Sequence, residues 1–553
     1  MIKRIFAFLL AIGMVLPLVA CKTYDQASDG ETNLQITDAP SDTQEDEGVL
    51  RLRYDDRYEF ETDIEKIENI GVTSSAVGGG RDEAVLRLAD QESKRRVIAC
   101  GTGTATVTLC DGTQKSVEVS PAPISVLLVL GQSNAEGVTL SDADVSKQAR
   151  EASVVCEEGQ VYSTYAPRDS QSGRYIGGIA YLKILDKDNG EHFVASSLTS
   201  NKNLAGGDLR YYLNSLSAQG QGKTGIDSAL AYEWNRQTGN KVWVINVALG
   251  GSGITSWQKG EKIYDGAVSV ASAALGVVRE EIAAGHYTFA DMGYFWVQGC
   301  HEKASNSSEA YTEQFLAMHE ALKNDLATDV DGDSKTETLS FAGIVLVRKP
   351  ADHVSSRDLA LNGPRTSQMY MGASLSDDFK DVYLATYAGD LWTSDGNVSK
   401  YFNEKYADGR LTYPVRTQYA IPKTVKEVHP DIHYRQPGYN ELGADAASNM
   451  IAMLNKKEGS EAVKVLKTNG YDTYKENDTI SIRAGGSVLI GVRAEETYMG
   501  AKGIRLVVEC NGVTNKCNQL IADSTAKGSK GMLKIYLGEK LVMTLKVAVG
   551  GSV

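Results

Sequence analysis

Between residues 124 and 457, apolar runs of strand length alternate with stretches whose apolar residues recur at helical spacing. That rhythm predicts an α/β core on a largely parallel sheet. Strands are expected over residues 124–130, 242–248, 292–297, 341–347 and 382–385, and helices over 226–238, 266–284, 309–326 and 443–455. Residues 141–222, rich in Gly, Ser, Asp and Asn, break the rhythm and read as an insertion over the sheet edge, where such segments commonly shape pockets. On either side the period changes to two. Residues 49–54, 84–88, 96–99, 103–109 and 116–119, with a turn at Asp111-Gly112, predict a small β-sandwich over 49–120. Ser120-Pro121-Ala122-Pro123 is expected to stiffen a joint and halt strand pairing. Residues 479–482, 487–490, 504–508, 533–537 and 541–549 predict a second sandwich within 458–553.

The start of the chain changes the picture of where this core works. Lys3 and Arg4 precede an apolar stretch over residues 5–19, too short to span a bilayer comfortably, so residues 1–20 read as a signal peptide. The stretch closes with Leu18-Val19-Ala20-Cys21, which resembles the lipobox of bacterial lipoproteins. That resemblance implies acylation of Cys21 and an exported protein whose membrane partner is reached through a lipid anchor on a bacterial membrane. Residues 21–48 are polar and acidic and cannot bury a core, so they are expected to form a flexible tether. At 553 residues the chain is too long for one core and suggests two to four domains. The net charge of -14 argues against nucleic-acid or anionic-lipid partners. Besides Cys21 there are Cys100, Cys110, Cys156, Cys300, Cys510 and Cys517, whose spacing matches no zinc pattern. In an exported protein Cys510 with Cys517, or Cys100 with Cys110, are short-range disulfide possibilities.

Candidate chemistry begins where the first core strand ends, at Gly131-Gln132-Ser133-Asn134-Ala135-Glu136-Gly137. A buried strand running into a glycine-assisted turn leaves a hydroxyl at the carboxyl edge of the sheet, which makes Ser133 the candidate nucleophile. A serine needs a base, an orienting acid and donors for a developing oxyanion. Among seven histidines, His429 and His433 lie in His429-Pro430-Asp431-Ile432-His433, a loop running into a helix near the end of the α/β unit. His433 is the expected base and Asp431 its orienter. Oxyanion donors are expected from turns at the same edge, and Gly250-Gly251 and Gln298-Gly299 both follow strands. Asp329-Val330-Asp331-Gly332-Asp333 with Glu337 has calcium-type ligands, but its glycine is misplaced for an EF-hand, so a solvated acidic turn is expected. Cys300-His301-Glu302 places ligand types in a row that rarely converge on one ion.

These residues resemble a known family. Gly131-Gln132-Ser133-Asn134, Gly250-Gly251-Ser252 with Trp257, Trp296-Val297-Gln298-Gly299 and Asp431-Ile432-His433 are similar to the four motif blocks of the sialate O-acetylesterase-like branch of the SGNH hydrolases. The resemblance covers residues 122–457 and implies a flavodoxin-like three-layer domain that removes acetyl groups from sugars without metal or cofactor. It implies Ser133 as nucleophile, His433 as base, the amides of Ser133 and of Gly250 or Gly251 as oxyanion donors, and the Gln298 amide group as a third. The flanks resemble bacterial Ig-like domains, through Gly103-Thr104-Ala105-Thr106 and Val117-Glu118-Val119. The expected fold class is therefore α/β, with an SGNH hydrolase domain between two small all-β Ig-like sandwiches. Two departures stand out: relatives often carry glutamate directly after the Gln-Gly pair, where this chain has Cys300, and Pro430 occupies the position three before the histidine. The segment also lacks the second glycine of an α/β-hydrolase elbow, against an ordinary lipase. The expected function is an exported serine esterase acting on an acetylated glycan. The alternative is a non-catalytic glycan-binding or adhesive surface lipoprotein.

Overall fold

The computed structural model describes residues 45–46, 48–74, 84–89, 94–136, 161–165, 181–186, 190–193, 226–302, 307–347, 362–391, 434, 436–455, 463–467, 472–494, 500 and 502–550. Cys21, Asp431 and His433 lie outside them. At the centre is an eight-stranded sheet formed by β1 (Ala122–Gly131), β2 (Val161–Tyr165), β3 (Tyr181–Asp186), β4 (Gly190–Phe193), β5 (Lys241–Asn246), β6 (Tyr287–Val297), β7 (Ala342–Val345) and β8 (Val382–Thr386). Its order is β4-β3-β2-β5-β1-β6-β7-β8. From β2 through β8 the neighbours run parallel, while β3 and β4 are added antiparallel. The segment read as an edge insertion thus contributes three strands to the sheet itself.

All five strands expected from the apolar runs are present. β1 is the most central of them, and the burial of Ile124, Ser125 and residues 126–131 explains why its sequence reads as one unbroken apolar run. Alternate residues of β1 feed two cores. Val126, Leu128 and Leu130 pack toward α3 (Lys262–Ala283), α4 (Ser308–Asp325) and α5 (Asn362–Ala373). Leu127 and Val129 pack toward α2 (Asp227–Thr238) and α6 (Gln436–Leu454). Gly239 ends α2 in the left-handed region, with φ 72°, and Ser307 caps α4 by accepting the Ala310 N–H at 3.1 Å. Helix α5 has no signature in the sequence, because Asn362, Arg365, Thr366, Ser367 and Gln368 are polar and yet buried.

Residues 45–120 form a five-stranded and a three-stranded sheet around one core that includes Leu52, Val97, Val107 and Val119. Ile64–Val72 is an edge strand with mostly exposed, charged positions, so the apolar alternation does not reveal it. The joint differs from expectation. Gln114–Ser120 and β1 are separated by Pro121 alone, and Ala122 and Pro123 pair in register with Tyr287 and Thr288 of β6. The Pro123 position lies at the start of the ladder, where a missing N–H is tolerated, so the prolines do not halt pairing. The first module is fastened rather than tethered: Lys241 Nζ bonds Asp56 at 2.5 Å, Tyr287 donates its hydroxyl to Asp55 at 2.5 Å, and Tyr54 stacks on His286 at 4.3 Å.

Residues 463–550 form sheets of two, four and three strands. Their apolar residues, such as Ile480, Leu506, Leu533 and Val547, belong to the same continuous cluster as β1 and α4. Lys502 Nζ donates to the Phe379 and Val382 carbonyls at 2.8 and 2.6 Å, and burial pulls its pKa down to about 8. Among the described residues Cys100, Cys110, Cys300, Cys510 and Cys517 form no disulfide, so neither short-range pairing is made. The Cys100 Sγ faces the Ala84 carbonyl at 3.3 Å, whereas Cys110 is exposed. Among the described residues no helix is long and apolar enough to cross a membrane.

Candidate active site

The strands that follow β1 in the chain, β2 to β5, all lie on one side of it and β6 to β8 on the other, so the carboxyl end of β1 is a topological switch point. Ser133 sits there. Gly131 ends β1 with φ +131°, and a Cβ on it would stand 2.2 Å from the Val297 carbonyl oxygen. Only glycine permits both that backbone and that approach. The chain then enters α1 (Ser133–Glu136), a single helical turn with Ser133, Asn134 and Ala135 buried. The Ser133 amide is the first of the turn and has no intrahelical acceptor.

The turn is held from four directions. Gln132 Oε1 accepts the Gly299 and His301 N–H groups, each at 3.2 Å. Asn134 Oδ1 accepts the Tyr439 hydroxyl from α6 at 2.9 Å, and burial keeps that phenol well above its ordinary pKa. Asn246 Nδ2, at the end of β5, donates to the Ala135 carbonyl at 2.9 Å and to Asp227 at the start of α2. Glu136 Oε2 accepts the Gly250 N–H at 2.6 Å.

The two glycines after β5 differ. A Cβ on Gly250 would lie 2.7 Å from Glu136 Oε2 and 3.7 Å from Ser133 Cβ, so this residue stands against the nucleophile turn. Gly251 has φ +74°, is exposed, and a Cβ on it would meet nothing within 4 Å. Its amide makes no hydrogen bond among the described residues. Ser252 closes the loop: its hydroxyl donates to the Leu249 carbonyl at 2.7 Å and accepts the Trp257 indole N–H at 3.0 Å.

Gln298 is placed differently from the third-donor role that the resemblance implies. It is 2 % exposed, its Nε2 donates to the Ser252 carbonyl at 3.2 Å and to the Glu302 carboxylate, and both amide hydrogens are thereby spent. Its Oε1 accepts the Tyr311 hydroxyl at 2.6 Å. Tyr311 in turn accepts the Trp296 and Gln368 N–H groups, each at 3.1 Å, and burial holds its phenol protonated far above the ordinary range. Gln298 therefore fastens the Gly250–Ser252 loop from beneath in this structure. Glu302 Oε1 also accepts the Ile254 N–H at 2.8 Å. A carboxylate two positions beyond Cys300 thus supports the loop, although the residue directly after Gln298-Gly299 is a cysteine.

The structure brings Ser133, Gly250 and Gln298 to one edge of the sheet through a shared hydrogen-bond network. Glu136, Asn246, Glu302 and Gln368 belong to that network and were not singled out from sequence as site residues. Apart from the Glu302–Gln298 contact, four residues apart, their partners in that network are far away in the chain, so spacing carries little signal for them. The Asp329, Asp331 and Asp333 carboxylates gather within 4.8 Å of one another and bond their own loop amides, as at Gly332 and Ser334. This cluster lies in the connection between α4 and β7, which precedes the amino end of β7.

A family model described as carbohydrate esterase, sialic acid-specific acetylesterase, matches residues 187–330. The matched span contains Gly250, Gly251 and Gln298. No curated protein matches the chain. Among solved structures, a carbohydrate acetylesterase from Xanthomonas citri aligns at 14% identity and TM-score 0.33, covering 90% of this chain and 96% of its own. A protein from Arabidopsis thaliana aligns at 12% identity and TM-score 0.30, covering 59% of this chain and 98% of its own. At those TM-scores neither superposition bears on the chemistry. The family match supports carbohydrate O-acetylesterase as the enzyme class of this chain.

Proposed function

We propose that this protein is an exported serine esterase of the sialate O-acetylesterase-like branch of the SGNH hydrolases, removing O-acetyl groups from a glycan. The observation that carries the reading is Ser133 at the end of the central strand β1, on a turn that a glycine with φ +131° makes possible. The amides of Ser133 and Gly251 make no hydrogen bond among the described residues, and Gly250, the chain neighbour of Gly251, stands against the nucleophile turn. In this reading Ser133 Oγ attacks the acetyl carbonyl and His433, oriented by Asp431, takes the hydroxyl proton. The backbone amides hold the negative oxygen, His433 returns the proton to the departing sugar oxygen, and water then releases acetate from the acetyl-serine. Acylation of Cys21 would anchor the enzyme, and residues 21–48 would carry it away from the membrane. The flanking β modules are read as Ig-like and the central unit as flavodoxin-like.

Hydrolysis of p-nitrophenyl acetate by the wild type and Ser133→Ala tests the reading, followed by acetate release from a panel of acetylated sialic acids, xylans and pectins. Ser133→Ala and His433→Ala are each expected to lose about a thousandfold or more in kcat/KM. Equal rates for wild type and Ser133→Ala would leave the glycan-binding alternative.

A further inference from the structure

We propose that Glu136 is a positioning residue that claims the Gly250 N–H, leaving the amides of Ser133 and Gly251 to hold the oxyanion. This deepens the esterase reading and rests on it. The carboxylate oxygen lies 2.6 Å from the Gly250 nitrogen. An acetyl oxyanion on the same N–H would bring two negative charges to hydrogen-bond range, a repulsion that a water-poor site magnifies. Gly250 is therefore the anchored glycine, not the donor.

The next peptide unit is the one left open. Gly251 turns through φ +74°, is exposed, and carries an amide with no acceptor among the described residues. Glu136 closes the far end of the turn whose first amide is that of Ser133. One side chain thus ties the nucleophile turn to the Gly250–Ser252 loop, and the loop is pinned from below by Gln298 on the Ser252 carbonyl. With both contacts made, the Gly251 peptide has little freedom to rotate, and preorganised donors of this kind act on the transition state more than on substrate binding. The role requires an acceptor at Glu136 and not a proton or a charge.

The test is the full-length protein with p-nitrophenyl acetate, comparing wild type, Glu136→Gln and Glu136→Ala. Glutamine retains an acceptor for Gly250 and is expected to keep kcat within about threefold, while alanine is expected to lower kcat about 30-fold or more with KM within about threefold. Thermal melting reports whether each variant folds. If alanine does not, Glu136→Leu, which fills the space without an acceptor, carries the comparison. Wild-type kcat in the alanine or leucine variant would overturn the proposal. So would a glutamine variant as slow as alanine, which would mark the charge or a proton transfer as essential, and so would an effect on KM alone. These outcomes leave the esterase reading intact as long as hydrolysis depends on Ser133; hydrolysis that survives Ser133→Ala would overturn both.

Discussion

Gly131 and Val297 stand side by side in register, with the Val297 carbonyl oxygen 2.2 Å from where a Cβ on Gly131 would be. The same carbonyl accepts the Gln132 N–H at 3.1 Å, so the crowding is the means by which β6 shapes the nucleophile turn. Gly131→Ala must either push the strands apart or abandon φ +131°. A loss of about 2–4 kcal/mol is expected, with activity falling further than the fraction unfolded accounts for. Urea denaturation together with the specific activity of the folded fraction checks both parts.

Tyr311 holds Gln298 by a single donated hydrogen bond of 2.6 Å. Tyr311→Phe keeps the ring and leaves Gln298 Oε1 buried without that donor, at a cost of about 1–3 kcal/mol. The Gly250–Ser252 loop loses its stiffness from beneath, so kcat is expected to drop while the midpoint of denaturation shifts only modestly. Unchanged kcat with the expected loss of stability would show that Gln298 does not transmit to the loop.

Asp291, at the irregularity in β6, has its carboxyl pushed up to about 6 by burial, with Ser125 only partly opposing this. Among the described residues its Oδ1 has no hydrogen-bond partner. A carboxyl whose pKa is higher folded than unfolded favours the native state when protonated, so this contribution is present below about pH 4 and fades as pH rises through 6. Asp291→Asn should therefore stabilise the protein above pH 6 by on the order of 1–3 kcal/mol and confer nothing at pH 4. Denaturation midpoints across that range decide the matter.

Asp381 behaves in the opposite sense. Burial alone would raise its pKa, but hydrogen bonds from His319 and Lys323 outweigh it and hold the carboxyl well below the usual range. Lys323 Nζ reaches it at 2.6 Å, and the buried His319 bridges it to the Tyr294 hydroxyl. Because the folded pKa is depressed, this stabilisation is present at neutral pH and is lost progressively below about pH 4. Asp381→Asn is expected to cost about 1–3 kcal/mol at pH 7 and to flatten the acid limb of the stability profile. A variant with the wild-type acid limb would refute that assignment.

Much of the core was legible because burial on both faces of a parallel strand leaves an unbroken apolar run. β1, β5 and β6 show this, as do the helical periods of α2, α3, α4 and α6. The Ser133 turn was legible for a related reason: strand, glycine and hydroxyl are adjacent in the chain. Helix α5 was not, since five buried polar residues at its start erase the apolar period. The prolines at 121 and 123 suggested a linker, yet they sit at the beginning of a ladder whose pairing starts at Ala122. The cysteines at short spacing suggested bridges that the fold does not form.

What the chain by itself determined is local: which segments bury both faces, where a glycine must turn, and which hydroxyl is left at the sheet edge. What only the tertiary structure decided is which polar groups are already spoken for. Gly250 and Glu136 are 114 positions apart, and the Gln298 carbonyl and Gln368 are 70 apart. Hydrogen-bond satisfaction is a property of groups that meet in space, so a donor that looks available in the sequence can be occupied in the fold, as the Gln298 amide is. Period and turn chemistry act over a few residues and can be read along the chain, whereas the occupancy of buried donors arises only when distant strands have been brought to one edge.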